Sequence, residues 1–218
     1  MHRRKETALM SETKEAPNTN EIPDDEALLT IGRAYYTGLG RTADFKQAVR
    51  FFRKSADLGN VEAMSLLGNC YLRGQGVKKD KAAALTLFEN ASEQGDITAT
   101  FRIGDMYKSG VRQLLEKDPL KAAKFYLDAL NLAKDHGDIM DVPEVYLRLA
   151  DCLLNGIGME KDVHSAYDFY CSAEDGFRER IESGDRYCMD DLDRAEEGAD
   201  QCEKILGIKS DTDPKTAA

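Results

Sequence analysis

Apolar side chains return along this chain at helical intervals, and the intervals themselves return. Phe45, Ala48, Val49, Phe52, Ser55 and Ala56 fall at steps of three and four, the spacing that places side chains on one face of an α-helix. Upstream, Ala27, Leu28, Ile31 and Tyr35 recur at roughly helical spacing. Between the stripes lies Thr37-Gly38-Leu39-Gly40, where glycine tolerates the positive φ of a tight helix reversal. The pattern predicts two amphipathic helices joined by a turn. It is then written again: IGRAYYTGLG, starting at Ile31, returns as LGNCYLRGQG from Leu67 and more loosely as IGDMYKSG and LADCLLNGIG. Gly32, Gly68 and Gly104 stand 36 residues apart, as do Tyr35, Tyr71 and Tyr107, and self-similarity at such a period marks a stacked array of repeats.

Start signals support the same division. Asp44 with Gln47 three residues on reads as a capping box, and Asn60, Asp80 and Asp162 stand where further caps belong. Asp118 followed by Pro119 is a strong helix start, because proline has no N–H to lose there. The third unit has a loop two residues longer and a second helix extended by four, to Gly137; four residues is about one turn, so the apolar face is kept. The fourth opens on Asp141-Val142-Pro143-Glu144, read as another capping box, and has Ala150 where its predecessors have glycine. Gly32 and Gly68 lie inside helices, where glycine is worse than alanine by about 0.5–1 kcal/mol, and their return predicts close backbone approach to a neighbouring helix.

The predicted architecture is an all-α solenoid of four helix-turn-helix repeats over 24–184, followed by a capping helix over 185–207. Residues 1–23 read as a flexible arm and 208–218 as a frayed tail. In the last helix Cys188, Leu192, Ala195, Ala199, Cys202 and Leu206 form one narrow seam with acidic residues off it. A polar outer face suits a terminal cap; an acidic docking face is the alternative.

Charge narrows the partners. A formal net charge of −10 and a pI near 4.9 argue against docking on nucleic acid or anionic lipid and favour a basic partner face. No run is long and apolar enough for a membrane helix, and the first residues lack the apolar centre of a signal peptide, so a cytoplasmic setting is expected. Five cysteines without C-x-x-C spacing fit free thiols in a reducing compartment.

Candidate chemistry is sparse. The recurrent aspartates stand at caps. His2, His136 and His164 have no ligand partners at metal spacing, and no glycine loop follows a strand to cradle phosphate. Neither a cofactor nor a metal is expected. Cys70 and Cys152 share one repeat position with Ala34 and Met106, as small core residues do; Cys171 alone stands outside an inner stripe.

The combination A-x-x-x-L-G-x-x-Y, a G-x-G reversal, then D-x-x-x-A-x-x-x-F-x-x-A and a closing glycine resembles the Sel-one-like repeat (SLR), a relative of the tetratricopeptide repeat. The resemblance covers about residues 25–176. It implies a right-handed α-solenoid acting as a non-catalytic adaptor, often in bacteria, with the first helix of each unit lining a concave groove for a protein or peptide. Secreted relatives tie each unit with a disulfide and have been linked to penicillin binding; the paired cysteines are missing here. A β-lactam-binding hydrolase is thus one alternative function, and a self-associating regulatory module another.

Groove positions advance along each first helix: Leu29, Arg33 and Tyr36, then Ser65, Asn69 and Leu72, Phe101, Asp105 and Lys108, and Leu147, Asp151 and Leu154. They differ between units while the core positions agree, as a ligand-reading surface or unconstrained solvent positions would. Arg33, Tyr36, Ser65, Asn69, Leu72, Phe101, Asp105 and Lys108 are the candidate partner-binding residues. Tyr36, Leu72 and Phe101 would act as apolar anchors, and Arg33, Asn69 and Asp105 would set register. Alternatively the leucines pack between first helices.

Overall fold

The computed structural model describes residues 24–38, 42–137, 142–185 and 188–208. The proposed arm, Leu39 and Gly40 of the first reversal, Asp141 and most of the tail lie outside them. The described residues form four helical hairpins, α1 (Asp25–Thr37) with α2 (Phe45–Asp57), α3 (Val61–Arg73) with α4 (Lys81–Ser92), α5 (Ile97–Ser109) with α6 (Pro119–His136), and α7 (Pro143–Asn155) with α8 (Val163–Glu182), followed by α9 (Met189–Leu206). This is an all-α repeat superhelix.

The caps hold the hairpins in register. Asp44, Asp80 and Asp162 each accept two backbone N–H groups of the following turn, and Asp24, Asn60, Asp96 and Asp118 each accept one. The capping aspartate of each second helix also donates its own N–H to the first helix of its unit. Asp44 reaches Tyr35, Asp80 reaches Tyr71 and Asp118 reaches Tyr107, all at 2.9 Å, and Asp162 reaches Leu153 at 3.0 Å. At α7 the N-cap position is Val142, with no side-chain cap bond. Within the described residues the fourth unit starts on Pro143 with Val142 buried before it, and the capping box expected through Asp141 lies outside them.

The recurrent glycines have matching surroundings. A Cβ on Gly32 would lie 2.6 Å from the Phe52 ring, on Gly68 2.6 Å from Phe88, and on Gly104 2.6 Å from Tyr126. Each aromatic belongs to the second helix of the same unit and is fully buried, so the neighbour that requires glycine is the unit's own partner helix. The recurrent tyrosines stack on the flank of this contact, Tyr35 on Phe51 and Tyr107 on Phe125, both with centroids 5.6 Å apart.

The ends of the row differ from its middle. Leu67, Ile103 and Leu149 are buried, whereas their first-unit counterpart Ile31 keeps 36% of its surface, since among the described residues no preceding unit covers it. At the other end, α9 presses Gly198 against the Tyr170 ring of α8 and buries Ala195, Ala199 and Cys202. Its outer positions Asp193, Glu197 and Asp200 are exposed.

Candidate functional site

The first helices α1, α3, α5 and α7, followed by α9, stand in a row whose members touch one another through side chains. Asn60 donates to Asp25 at 3.0 Å, Ser65 to Asp96 at 2.6 Å, and Arg33 pairs with Glu62. Farther along, Arg148 donates to Asp105 through Nε at 2.7 Å and Nη2 at 2.8 Å. Arg194 donates to Asp151 at 3.1 Å, and so does Lys108 at 3.3 Å. The spacing repeats: Arg148 lies three residues before Asp151 as Arg102 lies three before Asp105, so the Asp105–Arg148 link has a counterpart in Asp151–Arg194, and the same register assigns Asn69 and Arg102 to the equivalent positions of α3 and α5. By this register α9 continues the row of first helices.

Asp105 is the centre of the face. Besides the two bonds from Arg148, its carboxylate accepts from Arg102 Nη1 at 3.1 Å and from the Tyr126 hydroxyl at 2.9 Å. Both guanidinium groups rest on the Phe101 ring, with Arg148 Cζ 4.5 Å and Arg102 Cζ 5.0 Å from its centroid. Burial pushes the Asp105 carboxyl upward, but hydrogen bonds from Arg148 and the charges of Arg148 and Arg102 outweigh it and hold the group below the usual carboxylate range. Burial lowers Arg102, and the charges of Arg148 and Arg73 add to that against the pull of Asp105. For Arg148, hydrogen bonding and attraction from Asp105 overcome burial and raise it. Two cations thus share one carboxylate.

This geometry redistributes the candidate residues. Ser65 is 2% exposed and its hydroxyl is spent on Asp96, the cap of α5; Phe101 is 5% exposed beneath two guanidinium groups. Asp105 is saturated by internal donors. These three are turned into the scaffold, because a first helix that touches its neighbour on the inner side buries part of its groove stripe. Arg33 remains exposed, and Tyr36, Asn69, Leu72 and Lys108 are half-buried. Tyr36 donates its hydroxyl to Gln75 at 3.0 Å. Asn69 Oδ1 and Arg102 Nε are buried atoms without a hydrogen-bond partner.

Arg102, Arg148 and Tyr126 lie off the stripe that spacing marks along the first helices. A signal for them exists: the second-helix aromatic is Phe52 and Phe88 in the units carrying Arg33 and Asn69, but Tyr126 and Tyr170 in those carrying Asp105 and Asp151. A hydroxyl appears only where a carboxylate can receive it, and Tyr170 donates to Asp151 at 2.9 Å as Tyr126 does to Asp105. At these two positions the difference between units follows a packing partner.

At the loop edge of the third and fourth units, Lys108, Lys117, Leu120, Ile157 and Met159 line an open cleft of about 860 Å³. Leu120 there is 72% exposed. Among the described residues no three His, Cys, Asp or Glu side chains gather as a metal site, and no helix is long and apolar enough to cross a membrane. Burial pushes the Cys70 and Cys152 thiols up to about 11, which leaves little thiolate for nucleophilic chemistry at neutral pH.

Stacked helical hairpins with a continuous row of first helices define an α-solenoid of the helical-repeat class. The Sel1 repeat model matches residues 26–60, 61–96, 97–133 and 143–176, and the chain belongs to that family. A Sel1 repeat protein from Oxalobacter formigenes superposes with a TM-score of 0.57 at 25% identity, over 85% of this chain and 67% of that one. A protective antigen of uropathogenic Escherichia coli with an SLR fold gives 0.55 at 24% identity, over 84% of this chain; this chain spans 38% of that protein, and the likeness is one of fold. Comparison with curated proteins gives no match. Sel1 repeat proteins are in general scaffolds for protein–protein interaction.

Proposed function

We propose that the chain is a non-catalytic adaptor whose inner, first-helix face binds an extended segment of another protein. The observation that carries this reading is the division of labour on that face. Asp105, Arg148, Tyr126 and Phe101 are spent on holding neighbouring units together, while Tyr36 and Leu72 stay half-buried and Arg33 and Lys108, though paired with Glu62 and Asp151, keep 54% and 32% of their side-chain surface open. A rigid frame with open apolar and polar side chains lets a segment bind without ordering the receptor. Tyr36 and Leu72 supply apolar contact and Arg33 and Lys108 supply register.

A photo-crosslinking residue, p-benzoylphenylalanine, replacing Leu72 tests this in cell extract of the source organism, with replacement of Leu127 on the exposed side of α6 as control. Adducts are expected from position 72 and not from 127. Equal labelling from both, or none from 72, would remove the groove.

A further inference from the structure

We propose that the bound segment is acidic, and that one of its carboxylates docks at the junction of the second and third units, on Arg102 and Arg73 beside Asn69. The inference rests on the groove reading above and adds the chemistry of the partner. Two junctions carry an aspartate facing an arginine, Asp105 to Arg148 and Asp151 to Arg194. At the equivalent place between α3 and α5, Arg102 is present but its opposite number is the neutral Asn69. The junction is one carboxylate short.

Several observations mark the shortage. Arg102 turns back to Asp105 on its own helix, with one bond of 3.1 Å, and Asp105 is already gripped by Arg148 through two shorter ones. Arg102 Nε and Asn69 Oδ1 are buried without partners. Arg73, at the end of α3, forms no ion pair among the described residues, yet its charge bears on Arg102 and on the Tyr36 hydroxyl. A direct Asn69–Arg102 hydrogen bond would satisfy two atoms and still leave Arg102 and Arg148 sharing the one Asp105 carboxylate, with the charge of Arg73 acting on Arg102 as well. A partner carboxylate would supply the missing charge, since guanidinium–carboxylate bonds are among the strong ones. The whole chain carries −10, so this cationic locus opposes the charge around it. A basic partner face, expected from net charge alone, is the opposite of what the inner face selects.

The test uses the purified full chain and a fluorescein-labelled peptide with Glu at every third position among Ala and Leu, with Gln and Lys versions as controls. Anisotropy at low salt should show the Glu peptide binding about tenfold tighter or more than either control. Asn69→Asp completes the ladder internally; it should raise the melting temperature and abolish the preference for Glu. Arg102→Gln should abolish it too. Absence of a Glu preference, or a preference that survives Asn69→Asp, would overturn the proposal. Adducts at position 72 together with no Glu preference would remove the acidic reading alone, whereas no adducts there would remove the groove itself.

Discussion

Arg148 clamps Asp105 through two hydrogen bonds, one to each carboxylate oxygen, 2.7 and 2.8 Å long, that tie the third unit to the fourth. The Arg148 side chain retains 13% of its surface and that of Asp105 28%, so the pair is largely withdrawn from water. Removing one member strands the other.

Asp105→Ala should therefore cost about 3 kcal/mol, the low end for breaking a buried pair because Asp105 keeps some exposure. Tyr126→Phe removes one bond to the same carboxylate and should cost about 1–1.5 kcal/mol. Urea unfolding of both variants measures this; a loss from Asp105→Ala no larger than that from Tyr126→Phe would show that the clamp holds nothing.

Acid should release the clamp. The folded Asp105 carboxyl lies below its unfolded value, near 3.9, so its contribution is complete above that value and fades as pH falls through the folded one. The stability gap between the parent chain and Asp105→Asn should be constant from pH 7 to about 5 and should shrink below about 4. Melting temperatures across that range supply the check, and a gap that widens toward acid would contradict the assignment.

Gly68→Leu should overpack the α3–α4 contact by about 1–3 kcal/mol, because its Cβ enters the Phe88 ring at 2.6 Å. Coupling to Phe88→Leu in a double-mutant cycle identifies the cause: the two changes together should cost less than their sum. Strict additivity would mean that the glycine serves another contact.

Cys171 should react with a water-soluble disulfide reagent in the native chain ahead of Cys70, Cys152, Cys188 and Cys202, which are buried. Unfolding should release all five thiols. Fast native labelling of Cys70 or Cys152 would mean that the core opens far more readily than its packing implies.

The repeat, the helix pairs and nearly all the caps were legible in the residues, because helical periodicity, cap chemistry and the need for glycine under an aromatic ring are local or one-unit rules. At α7 Val142 holds the cap position without a side-chain bond, a buried apolar start followed by proline, and Asp141 of the expected capping box lies outside the described residues. The face was legible only in part. Spacing placed Arg33, Tyr36 and Lys108 on the same stripe as Phe101, Ser65 and Asp105, and only the closure of neighbouring units over the latter three separates the two sets.

The chain by itself determined that hairpins of helix would form and stack, because each unit repeats the same short-range instructions. Only the tertiary structure decided which inner residues bind the scaffold together and which stay open. The register between one first helix and the next pairs side chains more than thirty residues apart, as Arg148 with Asp105 and Arg194 with Asp151. Asn69 and Arg102 hold the equivalent positions at the preceding junction and both keep a buried atom without a partner, and the position of a charge along the chain does not reveal which charge it will meet across a junction.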